Sequence, residues 1–271
     1  RQLLLEQVSL KDIVTIASTL LESSAVTKDP ILLTADVRYA LRRAILHAIN
    51  GDRQKLAAYT IDNALENILL AAVKAIGDTV ITGAAREPEV ADLARFINQM
   101  GGRIKGAGAG TIEIIGVKRL QGTRYKIMPD RIVAGTYLAA AAVTGGDVTL
   151  TGICPEHLQA AASKLQETGC LIQFTEDTVR IQAPRHLGEM QKIETLPYPG
   201  FPTDLQAIFM ALAAAAEGYT AFTETVFPRR WAHVEELRRL GADITVVGSH
   251  AVIRGAPLIG SALTCTDLRA G

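Results

Sequence analysis

Apolar residues recur with a helical period in several stretches of this chain, and between these stretches they alternate with polar residues. Residues 131–143 and 207–216 are rich in Ala and Leu and are typical of buried helices. The segments TIEIIGV, TVRIQAP and AVIRGAP have the two-residue period of half-buried strands. Because helical and strand patterns alternate along the chain, the sequence predicts an α/β or α+β protein.

The same order of patterns occurs three times: an Ala/Leu-rich helix, a glycine, a short β-run, a loop with proline, an amphipathic helix and further strands. The glycines before the β-runs, Gly77, Gly146 and Gly218, lie 69 and 72 residues apart. The glycines that follow the amphipathic helices lie 68 and 72 residues apart, at positions 101, 169 and 241. Two landmarks with nearly one period predict three stacked copies of one supersecondary unit.

The first part of the chain does not fit this repeat. It predicts one helix in QLLLEQVSLKDIVTIASTLLESSA, with Ser9 as its cap, and a second in ILLTADVRYALRRAILHAI, capped by Thr34. We therefore divide the chain into a helical segment at 1–57, a first repeat unit at 58–129, and second and third units at 130–271.

The charge is balanced, with 28 Lys and Arg against 28 Asp and Glu, so no overall field favours nucleic acid or an anionic membrane. The three cysteines are widely spaced and match neither a disulfide framework nor a zinc motif. No signal peptide is recognised, and the longest apolar run is too short to span a bilayer. These features predict a cytoplasmic protein with no metal and no membrane partner.

An aspartate comes just before a helix at one corresponding point of each unit, in MPDRI, FPTDL and CTDLR. Helix capping explains Asp130 and Asp267, because an aspartate there accepts backbone N–H bonds. Asp204 follows LPYPGFPT, a turn-rich segment that would hold a side chain in one place. For Asp204, capping and a catalytic role remain alternatives.

Arginines accompany these aspartates. Arg131 and Arg269 adjoin the caps, and Arg229 and Arg230 precede the third amphipathic helix. Guanidinium groups near helix N-termini would suit a carboxylate or phosphate ligand, whereas the alternative is a solvated surface role. His157 and His233 lie on amphipathic helices, where packing is the simpler interpretation.

From about residue 63 onward the chain resembles the UDP-N-acetylglucosamine enolpyruvyl transferase family. The resemblance rests on AREPEVADLARFINQMG, MPDRIVAGTYLAAAAVTGGDV, PYPGFPTDLQA, TETVFPRRWAHVEELRRLGADI and TDLRA. It implies an inside-out α/β fold with two domains of three units each. It also implies transfer of the enolpyruvyl group of phosphoenolpyruvate to the sugar hydroxyl, in the first step of peptidoglycan synthesis, without a cofactor.

The resemblance also implies residue roles. Asp204 would be the general base for the sugar hydroxyl, and Val226 would offer backbone contacts to the nucleotide sugar. Arg230 and Arg269 would line an anionic cleft. Arg131 would lie near the hinge between the domains.

Several features that the resemblance calls for are not in these residues: a Lys–Asn pair, phosphate-binding arginines and a cysteine in a Gly-rich loop. Pro228 and Arg229 replace an acid and an amide. We therefore expect a partial transferase with weak binding of UDP-N-acetylglucosamine and little or no turnover alone. Association of copies through an incomplete C-terminal edge is left open.

Residues 1–70 resemble instead the cytoplasmic domain of the flagellar and type III secretion export-gate family. Two resemblances that overlap in YTIDNALENILL indicate a chimera. An export-gate-like docking module and a designed scaffold without catalytic function therefore stand beside the transferase interpretation.

Overall fold

A computed structural model describes residues 12–25, 28, 33–34, 36–37, 40–41, 55–59 and 65–264, the strand at 55–59 by its backbone alone. Ser9, Asp267, Arg269 and most of the predicted second helix lie outside these residues.

Helix α1 (Ile13–Ser23) lies in the N-terminal part, where the described residues 33–34, 36–37 and 40 are also helical. Its N-cap is Asp12, whose side chain accepts a hydrogen bond from the Thr15 amide at 3.1 Å, where the sequence predicted a cap at Ser9. Three buried residues of this part, Ile16, Val37 and Leu41, form a small cluster of their own. Among the described residues, α1 therefore does not contribute to the core of the first unit.

The first unit contains a sheet with the strand order β1-β2-β4-β3. Strand β1 runs parallel to β2, and the other pairs are antiparallel. Its sheet begins at Lys55, so the predicted boundary at residue 57 falls within β1. The elements are β1 (Lys55–Tyr59), α2 (Leu65–Ala72), β2 (Asp78–Thr82), α3 (Pro88–Gln99), β3 (Ile104–Lys105) and β4 (Thr111–Ile115).

The second unit contains an antiparallel sheet with the order β5-β7-β6. Its elements are α4 (Arg131–Val143), β5 (Asp147–Thr151), a 3₁₀ turn (Pro155–Leu158), α5 (Gln159–Glu167), β6 (Leu171–Phe174) and β7 (Thr178–Gln182).

The third unit has the sheet order β10-β11-β9-β8, in which only the β8–β9 pair is parallel. Strands β10 and β11 form a hairpin around Gly248, which has a φ of 61° in a two-residue turn. The elements are β8 (Lys192–Glu194), a 3₁₀ turn (Thr203–Leu205), α6 (Gln206–Ala215), β9 (Tyr219–Thr223), α7 (Ala232–Arg239), β10 (Asp243–Val247) and β11 (His250–Arg254).

The predicted repeat is confirmed by the shared topology of the units. In each, the strand after the first helix pairs with the last strand, which also pairs with the strand between them. The carbonyls of Gly77, Gly146 and Gly218 accept equivalent hydrogen bonds, each from the residue that follows the last strand. The glycines after the amphipathic helices, at 101, 169 and 241, have φ values of 95°, 90° and 91°, which end a helix at little cost only for glycine.

The buried apolar residues form separate cores. One cluster is shared by the second and third units, and another belongs to the first unit. Helices α4 and α6 pack closely in the shared core, where a Cβ on Gly135 would lie 2.6 Å from a methyl carbon of Leu205. This separation agrees with a division near residue 130, which we retain as a proposal.

Candidate active site

A cleft of about 1140 Å³ lies where the first unit faces the second and third units. One wall comes from α3 and the residues before it, and the other from the starts of α4 and α6 and the loop after β9. The lining includes acids, arginines and aromatic rings, among them Glu87, Glu89, Asp92, Phe96, Tyr125, Asp130, Arg131, Tyr198, Asp204, Val226 and Phe227. Such a cleft offers both hydrogen-bonding groups and apolar surface to a ligand.

Asp204 forms an ion pair with Arg230 in this cleft, with 2.7 Å between the carboxylate Oδ1 and a guanidinium nitrogen. The Asp204 side chain is 39% exposed, whereas that of Arg230 is 17% exposed. Arg230 also donates to the Thr203 hydroxyl at 3.3 Å and lies over the Phe227 ring at 5.9 Å. A half-exposed carboxylate beside a more buried cation can reach a ligand while its partner is held in place.

Asp204 differs from Asp130, its counterpart in the second unit. Asp130 is the N-cap of α4, and its side chain accepts from the Ile132 and Val133 amides at 2.8 and 3.1 Å. The capping interpretation of Asp130 is thus confirmed. Asp204 lies within the 3₁₀ turn, while the N-cap of α6 is Leu205. The turn-rich segment before Asp204 packs tightly, since a Cβ on Gly200 would meet the Leu196 Cβ at 2.4 Å.

Val226 lines the cleft, but its amide is used within the protein. The amides of Val226 and Phe227 both donate to the buried carboxylate of Glu224, each at 2.9 Å. Any backbone contact from Val226 to a ligand would therefore come from its carbonyl. Glu224 was not recognised from the sequence, because nothing in TETVF indicates that this side chain is buried.

Arg131 joins the two walls of the cleft. Its guanidinium donates to both oxygens of Glu89, at 2.9 and 3.4 Å, and lies 5.6 Å from the centre of the Tyr198 ring. The Tyr198 amide in turn donates to Glu87 at 3.3 Å. Because α3 carries Glu89 and α4 begins with Arg131, this bidentate pair links the first unit to the second.

His157 packs edge-on against Tyr198, with ring centres 6.2 Å apart. Burial lowers the pKa of His157 below its ordinary value, and the charge of Arg131 adds to this effect while Glu89 opposes it. The predicted packing role of His157 agrees with this position. His233 is buried as well, with Nε2 2.9 Å from the Met210 sulfur.

Asp92 anchors the connection between the first two units. It is buried and accepts from the Tyr125 hydroxyl at 2.7 Å and from the Met128 amide at 3.4 Å. Burial, followed by the bond to Asp92, raises the pKa of Tyr125, so this phenol stays protonated and donates. The segment that leads to Asp130 is thereby held against α3.

The structure brings together Asp204, Arg230, Val226 and Arg131 at or beside one cleft, whereas Arg269 lies outside the described residues. Within the part of the chain that is described, no group of three or more His, Cys, Asp or Glu side chains could hold a metal ion. None of the described helices combines the length and apolarity needed to cross a membrane.

The fold and this cleft define the class of protein. The repeated α/β units correspond to the enolpyruvyl transferase fold: the enolpyruvyl transferase NikO from Streptomyces tendae superposes with a TM-score of 0.61 over 71% of this chain and 46% of its own, at 23% identity. That likeness concerns the fold alone.

Sequence comparison places the chain in a family. Residues 17–271 match the EPSP synthase (3-phosphoshikimate 1-carboxyvinyltransferase) family, and the chain belongs to it. The UDP-N-acetylglucosamine 1-carboxyvinyltransferase 2 of Caldanaerobacter subterraneus subsp. tengcongensis is 52% identical over 209 residues, which are 77% of this chain and 50% of that protein. The enzyme from Magnetococcus marinus is 50% identical over 206 residues, 76% of this chain and 49% of its own length.

The chain thus spans about half the length of the curated relatives it matches. A third relative, from Geobacter metallireducens, is 45% identical over 241 residues, 88% of this chain and 57% of its own length. That match and the family match from residue 17 both extend into the N-terminal part for which the sequence predicted a different origin. None of these matches is to an export-gate protein, so they give no support to that resemblance or to a chimera.

Proposed function

We propose that this chain is a partial UDP-N-acetylglucosamine 1-carboxyvinyltransferase that supplies one side of the substrate cleft. The observation that carries this proposal is the Asp204–Arg230 pair at 2.7 Å, within the family strings FPTD and TETVFPRRW. Relatives about half identical to the chain carry that enzyme's name.

In this proposal Asp204 accepts the proton of the sugar 3-hydroxyl as that oxygen attacks phosphoenolpyruvate, and phosphate leaves in the overall reaction. A general base must lie within hydrogen-bond reach of the proton it takes, and the exposed carboxylate of Asp204 can do so. The adjacent Arg230 would line the cleft and hold this carboxylate in place. Val226 would contact the nucleotide sugar through its carbonyl, and Arg131 would hold the two walls together through Glu89.

We further propose that these 271 residues alone give little or no turnover. In the cleft, Arg230 forms an ion pair with Asp204, and Arg131 forms one with Glu89. The additional cations that the resemblance calls for are not in this sequence. Removing a single stabilising donor from an enzyme site lowers kcat by about 100- to 1,000-fold, so the loss of several would leave almost no activity.

Two measurements on the purified chain test the proposal. Ligand that binds only the folded state raises the melting midpoint, so UDP-N-acetylglucosamine should raise it, with UDP as the comparison ligand. The substitution Arg230→Met should reduce this shift, and Ile76→Ala, at a fully exposed site, should not. Phosphate release from phosphoenolpyruvate should stay at background.

Each measurement can contradict one part of the proposal. An unchanged midpoint at high nucleotide-sugar concentration would remove the binding role. Clear phosphate release that depends on both substrates and is lost in Asp204→Asn would remove the claim of inactivity while supporting the role of Asp204.

The predicted docking module, the scaffold without a ligand, the association of copies and the cytoplasmic location remain predictions. The docking hypothesis rests on residues 1–70, of which only part is described. Capture of secretion chaperones by the purified chain, lost on deletion of residues 1–54, which leaves β1 in place, would favour it over the transferase proposal.

A further inference from the structure

Glu224 is a fully buried carboxylate at the centre of the segments that form the catalytic side of the cleft. Its Oε1 accepts from the Thr195 hydroxyl at 2.7 Å and from the amides of Val226 and Phe227 at 2.9 Å each. Its Oε2 accepts from the Thr203 hydroxyl at 2.9 Å. One side chain therefore binds three separate segments: the residue after β8, the 3₁₀ turn before α6 and the loop after β9.

This cluster continues to the Asp204–Arg230 pair through a single hydroxyl. Thr203 donates its only proton to Glu224 and accepts from Arg230 at 3.3 Å. Arg230 places the same nitrogen 2.7 Å from Asp204. The order of donors is thus Arg230 to Thr203 to Glu224, with Asp204 as the second acceptor of Arg230.

The last acceptor in this series of hydrogen bonds is the Glu224 carboxylate, and it decides which way the Thr203 hydroxyl proton points. A carboxylate can only accept, so it draws the Thr203 proton toward itself and leaves the hydroxyl lone pairs for Arg230. A hydroxyl whose proton pointed the other way would oppose the guanidinium N–H instead. Because Glu224 is buried, an unpaired Glu224 oxygen would be costly, and this strengthens its preference for the Thr203 proton.

We propose that Glu224 is a positioning residue, which acts through Thr203 to hold Arg230 against Asp204 and so sets the geometry of the cation beside the general base. This inference rests on the proposed function for its catalytic meaning, but the arrangement itself concerns only residues of this chain. Glu224 is not among the residues that line the cleft and would not itself react.

The test uses two substitutions that act at different points of the relay. Glu224→Gln keeps the side chain's shape and can still accept from the backbone amides through its oxygen, but it presents an NH₂ group to Thr203. Thr203→Val keeps the shape of Thr203 and removes the hydroxyl between Glu224 and Arg230. Thr203→Ser restores that hydroxyl and should restore the wild-type behaviour.

The readout is the hydrogen-exchange rate of the Arg230 guanidinium protons, measured by ¹⁵N NMR and assigned by the signal lost in Arg230→Lys. We expect exchange to become roughly tenfold faster in Glu224→Gln and Thr203→Val, as follows from loss of a hydrogen bond to a charged group. Thr203→Ser should stay near the wild-type rate. Thr144→Val, which removes an exposed hydroxyl bonded to Ala140 at the end of α4, is the matched control and should change nothing.

Slow exchange of Arg230 in a folded Thr203→Val protein would overturn the inference, and so would a Glu224→Gln effect that Thr203→Val does not share. If Glu224→Gln fails to fold, the comparison of Thr203→Val with Thr203→Ser still tests the hydroxyl through which Glu224 is proposed to act, and equal exchange rates in these two variants overturn the inference. Measuring the melting midpoint of the same samples with nucleotide sugar separates the proposed function from the positioning role of Glu224. An unchanged midpoint in the wild type counts against the proposed function but does not affect the exchange result for Arg230.

Discussion

The second and third units each place an aspartate just before an Ala-rich helix, and the two carboxylates have different partners. Asp130 accepts from the first amides of its own helix, at 2.8 and 3.1 Å. Asp204 pairs with the Arg230 guanidinium, which reaches it from the loop after the next strand. Equal positions in a repeat therefore do not imply equal roles.

The difference arises from the segments before the two helices. Asp130 ends an extended segment and takes the backbone conformation of an N-cap, with φ −75° and ψ 109°. Asp204 lies inside the 3₁₀ turn whose N-cap is Pro202, so it does not occupy a capping position. In the second unit the aspartate caps its helix, whereas in the third the carboxylate is 39% exposed at the cleft and pairs with an arginine.

The largest expected effect is a loss of stability on substitution in the core that the second and third units share. Phe209 on α6 is fully buried and packs edge-on against Phe201, with ring centres 4.9 Å apart. Phe209→Ala should lower the free energy of unfolding by about 3–5 kcal/mol, because it removes a large buried ring and leaves a cavity. Urea denaturation measures this loss. Ile76→Ala, fully exposed in the first unit, is the control and should change stability by less than about 0.5 kcal/mol.

A smaller effect should follow from removing the cap in the second unit. Asp130→Ala should cost about 1 kcal/mol, since the Ile132 and Val133 amides lose their acceptor. Asp130→Asn keeps a capping oxygen and should cost much less. Equal losses for the two variants in urea denaturation would mean that charge, rather than capping, is what Asp130 contributes.

The corresponding change in the third unit should affect stability less. Asp204→Asn should alter the free energy of unfolding by less than about 1 kcal/mol, because the carboxylate is partly exposed and its ion pair is screened by water. The same denaturation series measures it. A loss larger than that of Asp130→Ala would reverse the contrast between the two aspartates.

The smallest effect concerns acid stability at the outer face of the second unit's sheet. Asp147 accepts from Arg180 and Gln182, which lowers its pKa from 3.8 to about 2. This contribution is present above pH 3.8 and is lost as the pH falls toward 2, since protonation ends the pairing. Asp147→Asn should flatten that part of the curve of stability against pH. Tyr219→Phe, at the corresponding place in the third unit, should leave the curve unchanged.

Local pattern was enough to predict much of this architecture. Helical periodicity and glycine spacing predicted the repeated units, because both reflect the geometry of single elements and their ends. The same reasoning predicted the cap at Asp130. The family resemblance selected Asp204, Arg230, Val226 and Arg131, which meet at or beside one cleft.

Contacts between distant segments were not predictable from pattern. The Arg131–Glu89 pair joins residues from two units, and nothing local marks either as the other's partner. Glu224 was missed because its burial results from the packing of three segments around it. The helix that was predicted to be capped by Ser9 has Asp12 as its N-cap, so the sequence pattern alone did not fix where this helix begins.

The most direct measurement follows backbone amide shifts by NMR as UDP-N-acetylglucosamine is added to the wild-type chain. If the cleft holds the nucleotide sugar, the largest shifts will be at Thr203, Val226 and Phe227, and residues of the β5–β7 pair such as Thr149 and Val179 will not move. Saturable shifts confined to the β5–β7 sheet, or none at any concentration, would contradict the account.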